Sequence, residues 1–398
     1  NGVTPDTAQT FQICITGPSY PNGGCQGAPY NGGALVWHDL IPGDYNVSEV
    51  ALGSEWIVTI DKTQVTVPAD GSPASASVVN MRKLGGLNVT KVVNWNGIVP
   101  DETRSFEICI AGASFPDGSC QTADYDGATL AWTGLIPGDY RVYETAPGSE
   151  WTVTVDSATA TVPTNGGAGD ATVTNTRRHG SLTVAKVVDW NGIVPDAGKT
   201  FQVCISGPSF AGGDCKTVDH DGGTLQWNDL IPGSYSVSET NPGSEWTVQV
   251  TGSPATVPVD GTGASASVLN TRKLGSLRVT KTVNWNGVTA DPNQSFTICI
   301  AGPSYTNGDC KSVGANGGVL TWTDLIPGAY SVAENNPGRV WETVITGEPA
   351  AVPVDGGQVS AAVINTRLQP ASITVTKMLT SSDETAGSSG ADATDPTV

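Results

Sequence analysis

The feature that most restricts what this chain can become is a repeat. The string Leu-Ile-Pro-Gly-x-Tyr occurs at 40–45, 135–140, 230–235 and 325–330, each copy 95 residues after the last. Cysteines keep the same step: Cys14 and Cys25, Cys109 and Cys120, Cys204 and Cys215, Cys299 and Cys310. So do the tryptophans, in the columns Trp37/Trp132/Trp227/Trp322, Trp56/Trp151/Trp246/Trp341 and Trp95/Trp190/Trp285. Solenoid units run to about 20–50 residues, whereas 95 residues suffice for a small domain with its own core. The chain therefore reads as four tandem domains, 1–82, 83–177, 178–272 and 273–368, followed by a segment 369–398.

The repeat does not begin where the sequence begins. The second unit opens at Leu87-Asn88-Val89-Thr90-Lys91 and closes at Val173-Thr174-Asn175. Asn1 aligns with Asn96, so the first unit lacks an opening strand and its lysine but keeps Glu49 and Asn80. After the fourth unit a fifth opening strand recurs, Ile373-Thr374-Val375-Thr376-Lys377, ahead of a Ser/Gly/Asp-rich tail. With no signal peptide, the sequence reads as a mature chain or as a window on a longer one.

Within a unit the apolar residues alternate with period two, and no helical stripe of useful length occurs. Leu87, Val89, Val93 and Trp95 share one face, as do Phe106, Ile108 and Ile110, then Tyr140 and Val142, then Trp151, Val153 and Val155. Gly, Pro, Asn-Gly and Asp-Gly steps punctuate these runs, as hairpin turns require. Around seven short strands per unit predict an all-β chain of four antiparallel β-sandwich domains.

The cysteines refine this. An immunoglobulin disulfide joins two sheets across a long sequence separation, whereas here the partners lie within one short stretch. The expected bonds are Cys14–Cys25, Cys109–Cys120, Cys204–Cys215 and Cys299–Cys310, each stapling a local loop and contributing about 2–3 kcal/mol. Cys109 alternates with Phe106, Ile108 and Ile110, which predicts an outward side chain. Two cysteines without a repeated histidine make a poor metal site, and disulfides point outside the reducing cytosol.

Three polar columns interrupt the inward faces. Lys91, Lys186 and Lys281 stand between core valines on the opening strands. Glu144 continues the face of Tyr140 and Val142, with Glu49, Glu239 and Glu334 as equivalents. Asn175 continues the face of Val173, with Asn80, Asn270 and Asn365 as equivalents. A lone buried charge costs several kcal/mol, so these residues need each other. One reading is a buried ion pair with an amide as hydrogen-bond partner. The other is an intramolecular isopeptide bond. Burial disfavours the charged amine, the neutral amine attacks the asparagine carboxamide, the glutamate polarises it, and ammonia leaves.

At these residues the chain resembles the CnaB-type domains, also called SpaA-like or prealbumin-like, of bacterial cell-surface proteins and pili. The resemblance is carried by Leu-x-Val-Thr-Lys, by Leu-Ile-Pro-Gly-x-Tyr-x-Val-x-Glu and by the closing Val-x-Asn-Thr, over all four units. It implies a prealbumin-like sandwich, a location on the bacterial surface, and Lys–Asn crosslinks Lys91/Asn175, Lys186/Asn270 and Lys281/Asn365 promoted by Glu144, Glu239 and Glu334. The cysteine pair is not part of that family's usual pattern.

A bond between first and last strands would carry tension across each domain, and short linkers would make the array a stiff rod: a stalk, a spacer or a surface filament. Two forms are open. The chain is a segment of a longer stalk, or it is a fibre subunit whose spare strand enters the next copy and joins Lys377 to Asn80. An adhesin or carbohydrate-binding array is the alternative. The expected partners are copies of the chain, neighbouring domains of the same long chain, or a surface ligand.

Other classes fare worse. Thirty-eight acidic against nineteen basic side chains give a net charge of −19, which argues against nucleic acid, because phosphate binding needs surplus Lys and Arg. No run of 18 apolar residues occurs, so no membrane insertion is expected. His38, His179 and His220 occupy unrelated positions in their repeats, so no enzyme activity and no cofactor are expected. Asp124-x-Asp126-Gly127 hints at calcium, but a type I′ hairpin turn explains it better. The Trp95 and Trp151 columns share faces with core valines and are expected in the core.

Overall fold

The computed structural model describes residues 2–378. The tail beyond Met378 lies outside the described residues. No helix among those described is long and apolar enough to cross a membrane. The backbone divides into two compact units, the cut falling inside the third repeat.

Repeats two, three and four are each a sandwich of two four-stranded sheets. In the second repeat one sheet runs Ala128–Leu135, Gly85–Asn94, Ala168–Arg177, Trp151–Val155, and the other runs Thr159–Val162, Gly138–Glu144, Ser105–Gly112, Phe115–Asp124. That makes eight strands. Sequence patterning misses Phe115–Asp124, because its Asp, Gly, Ser and Thr residues have no period-two apolar face. It is an edge strand, held in register from Ser105↔Asp124 to Gly112↔Phe115 and tied by the Cys109–Cys120 bond.

The pairing is antiparallel with one exception that matters for the site. The opening and closing strands lie side by side in parallel, from Gly86↔Ala168 to Asn94↔Thr176, and in the fourth repeat from Ser276↔Gln358 to Asn284↔Thr366. The opening strand is therefore central, bonded on both edges. The core between the sheets holds Leu87, Val89, Ile108, Ile110, Leu135, Tyr140 and Val173, all fully buried.

The Leu-Ile-Pro-Gly-x-Tyr string folds as one piece. The Tyr140 hydroxyl lies 3.0 Å from the Ile136 carbonyl and 2.7 Å from Ser114 Oγ, and it accepts the Ser114 amide at 3.0 Å. Its ring packs so closely on Gly112 that a Cβ there would sit 2.6 Å away. Tyr45, Tyr235 and Tyr330 tie their own turns in the same way.

Two local expectations need correction. Cys109 faces away from the core strand positions but is fully buried. Tyr143 stands opposite it on the neighbouring strand. Cys204 and Cys299 have Ser238 and Ala333 there and stay partly exposed, whereas Cys14, opposite Ser48, is buried. The turn at 124–127 is not type I′. The Gly127 amide donates to the Asp124 carbonyl at 2.9 Å, and Gly127 alone among the four has positive φ (91°). A type I turn followed by a left-handed glycine has that geometry.

The first repeat keeps one sheet, Tyr20–Pro29, Thr10–Gly17, Gly43–Glu49, Gln64–Val67. The other sheet is reduced to Trp56–Ile60 paired with Val78–Arg82. Residues 34–40 and 73–77, equivalent to strand residues on either side of the opening strand in complete repeats, form no strand here.

Buried lysine, glutamate and asparagine clusters

Lys91 lies midway along Gly85–Asn94, on the face of Leu87 and Val89, so the period-two pattern drives it between the sheets. The residue is 2% exposed. Its Nζ lies 3.4 Å from Glu144 Oε2, and neither side chain reaches water. Glu144 ends the strand Gly138–Glu144 of the other sheet, so the contact spans both layers. Asn175 Nδ2 donates to Glu144 Oε1 at 2.8 Å, while its Oδ1 has no partner. The parallel register sets Lys91 opposite Val173, with Asn175 two residues further along the same face. That stagger is within reach of a lysine side chain. The Phe106 ring centroid is 4.7 Å from Nζ and closes the chamber from the second sheet.

The third and fourth repeats rebuild this arrangement. Lys186 Nζ lies 3.4 Å from Glu239, and Asn270 donates to the same glutamate at 2.9 Å, with Phe201 at 4.6 Å. Lys281 Nζ lies 3.4 Å from Glu334, with Phe296 at 4.7 Å. There the second Glu334 oxygen accepts from Thr343 Oγ1 at 3.0 Å, and the buried Asn365 carboxamide has neither nitrogen nor oxygen partnered. The phenylalanine column Phe11/Phe106/Phe201/Phe296 repeats at the same step as the cysteines. Its place against the lysines escapes a pattern reading that sees it only as core.

Burial governs the electrostatics. It pulls Lys91 and Lys186 down from 10.5 to about 8, against the opposing pull of Glu144 and Glu239. Lys281 is lowered for the same reason, opposed by Glu334. At pH 7 a pKa near 8 leaves about a tenth of the amines neutral. A dry, partly neutral amine beside an under-bonded carboxamide can acylate itself at the asparagine carbon.

The first repeat holds half of the cluster. Asn80 Nδ2 donates to Glu49 Oε1 at 2.6 Å, and Glu49 Oε2 and Asn80 Oδ1 are enclosed without partners. No lysine of the described residues stands beside them. Lys377 belongs to a segment that forms no strand. The histidines do not assemble: His179 Nε2 meets the Asn96 carbonyl at 2.7 Å and His220 lies beside Asp221. Trp132, Trp227 and Trp322 are buried, as are Trp151, Trp246 and Trp341. Trp95 is half-buried, edge-on to Trp151 at 5.0 Å, with its Nε1 donating to the Tyr125 carbonyl.

A lysine on the opening strand, an asparagine beside it on the parallel closing strand and a glutamate reaching across from the second sheet match the resemblance drawn from the motifs. In this arrangement the repeats resemble CnaB-type domains. No protein-family model and no curated protein matches the chain. Among solved structures it is similar to the TIE protein of Bacillus anthracis, at 18% identity over 90% of this chain and 69% of that one, TM-score 0.47. It is also similar to two B repeat units of the collagen-binding protein of Staphylococcus aureus, at 17% identity over 90% and 94%, TM-score 0.27. A third is BcpA, the major pilin subunit of Bacillus cereus, at 13% identity over 72% and 100%, TM-score 0.29.

Proposed function

We propose that this is an extracellular structural protein of the bacterial surface, a stalk or pilus-like filament whose CnaB-like repeats bear tension. In this reading the three complete repeats are crosslinked by amides Lys91–Asn175, Lys186–Asn270 and Lys281–Asn365. The observation that carries it is the threefold recurrence of a water-free Lys–Glu–Asn cluster whose lysine and asparagine sit on adjacent parallel strands. An ion pair kept so dry costs several kcal/mol in desolvation, and an amide removes both the charge and the cost.

The reaction needs only these side chains. Glu144 takes a proton from the Lys91 ammonium across their 3.4 Å contact. The neutral Nζ attacks Cγ of Asn175, whose nitrogen already contacts Glu144. A carbon–nitrogen bond forms, Glu144 returns its proton to the original carboxamide nitrogen, the bond to that nitrogen breaks and ammonia leaves, and Glu144 takes up the second proton that Nζ sheds in becoming the amide nitrogen. One amine and one primary amide become one secondary amide and one ammonia, with no cofactor consumed.

The bond would join the strands by which the chain enters and leaves the repeat, so the 83 residues between Lys91 and Asn175 carry no load. In the three complete repeats Trp132, Trp227, Trp322, Trp151, Trp246 and Trp341 are buried and leave no exposed strip of those rings to bind sugar, which favours the mechanical reading over a carbohydrate-binding array. Stalk segment and head-to-tail fibre share this chemistry and differ in what completes the first repeat.

Denaturing, reducing mass analysis tests the proposal. Each amide removes one ammonia, about 17 Da, and a chain three ammonias light is expected. An unmodified mass returns the clusters to ordinary ion pairs.

A further inference from the structure

The cluster of the fourth repeat departs from those of the second and third at one contact. Lys281 Nζ lies 3.4 Å from Glu334 and 4.7 Å from the Phe296 ring centroid, as Lys91 does from Glu144 and Phe106. The asparagines differ. Asn175 and Asn270 donate to their glutamates at 2.8 and 2.9 Å. Asn365 is as fully buried as they are, yet neither polar atom of its carboxamide has a partner. We propose that Thr343 is the cause: by holding Glu334 it keeps the carboxylate from Asn365, so that the Lys281–Asn365 amide is the last of the three to close. The inference rests on the crosslinking read for the complete repeats and assigns a positioning residue to it.

Thr343 is the exception in its column, which reads Val58, Val153, Val248, Thr343. The position lies directly across from the asparagine, as the registers Val58↔Asn80, Val153↔Asn175 and Thr343↔Asn365 show. Valine there has no donor to offer. Threonine has the same β-branched outline with a hydroxyl in place of a methyl. Although Thr343 is exposed, on the edge strand Trp341–Thr346, its Oγ1 donates to Glu334 Oε2 at 3.0 Å. Glu334 Oε1 faces Lys281. Both oxygens are therefore turned to groups other than the carboxamide. In the second repeat Glu144 Oε2 faces the lysine and Oε1 is left for Asn175.

The contact matters because of what the glutamate must do. Glu334 can take a proton from Lys281, and the neutral Nζ can attack Cγ of Asn365. The bond to the carboxamide nitrogen then breaks, Glu334 returns its proton to that nitrogen, ammonia leaves, and Glu334 takes up the second proton that Nζ sheds. The return step needs Glu334 against Asn365 Nδ2. That contact stands ready in the second and third repeats and must displace the Thr343 hydroxyl in the fourth. A hydrogen bond to a charged group is strong enough to slow the step about tenfold or more. Until it closes, the fourth repeat stays extensible while its two neighbours are already locked.

The test follows the full chain after a pulse of cell-free synthesis. Samples are quenched in denaturant at intervals, reduced, digested and mapped for the three linked peptides. The 91–175 and 186–270 peptides are expected first, with 281–365 lagging about tenfold or more. Thr343→Val should bring the third peptide into step with the others, and Thr343→Ser, which keeps the hydroxyl, should preserve the lag. Val153→Thr should transplant the delay, slowing the 91–175 peptide alone. Equal rates for all three peptides in wild type would overturn the inference and leave the crosslinks standing. So would a lag that Thr343→Val does not shorten. Absence of every linked peptide would instead overturn the crosslinking itself, and this inference with it.

Discussion

Lys91 concentrates the conflict of its repeat: a cation held among Val89, Phe106 and the opposite sheet, with one carboxylate for company. In Asn175→Ala the amine stays free. Its folded pKa of about 8 lies below the unfolded value of 10.5, so between these values the unfolded chain binds more protons. Stability of that variant relative to wild type should therefore rise with pH from about 8 to about 10.5, by at most ~1.4 kcal/mol per pH unit. Urea midpoints at pH 8, 9 and 10 measure it, and a falling trend contradicts a depressed lysine. Glu144→Ala strands the ammonium without its partner, which costs about 3–5 kcal/mol. It should leave the chain two ammonias light instead of three, and a full complement of three in that variant contradicts the role given to Glu144.

The rate of bond formation adds a second pH test on the same side chains. The reactive pair, neutral amine with protonated carboxyl, holds as many protons as the ion pair. Crosslinking during refolding should thus be flat from neutral pH to about 8 and slow about tenfold per unit above it. A rate that climbs to pH 8 and then levels off would mean that the free amine alone suffices.

At the scale of elements, the opening strand organises its sheet. Gly127→Ala would push a methyl into the Lys91 carbonyl and strain a residue at φ 91°. A loss of at least about 1 kcal/mol is expected in the melting of the second repeat. Gly32→Ala meets no neighbour in this structure and should cost less than Gly127→Ala, its expense being confined to the backbone strain at φ 78°. The opening strand, its lysine and the Leu-Ile-Pro-Gly-x-Tyr turn are legible in sequence because period two and turn chemistry are local. Strand direction is not, since alternation is the same in parallel and antiparallel pairs. Nor is the fate of residues 34–40, which alternate like their equivalents but lack a strand to bond to. Nor is the burial of Cys109, whose neighbours across the sheet are set only by folding.

At the scale of the whole molecule, crosslinked repeats should not lengthen under load. In single-molecule pulling, wild type should show no unfolding steps from repeats two, three and four. With the disulfides reduced, Asn175→Ala should release one step of about 290 Å, from 83 residues at about 3.5 Å each. Steps of that size in wild type would remove the mechanical reading.

The disulfides enter here in a different capacity. Cys109 and Cys120 both fall inside the segment that the Lys91–Asn175 bond would bypass, as their counterparts do in the third and fourth repeats. The two kinds of crosslink then answer to different insults. A reducing milieu would lower the melting temperature of each sandwich yet leave the contour length under tension unchanged, so heat resistance and inextensibility could be tuned separately in one protein.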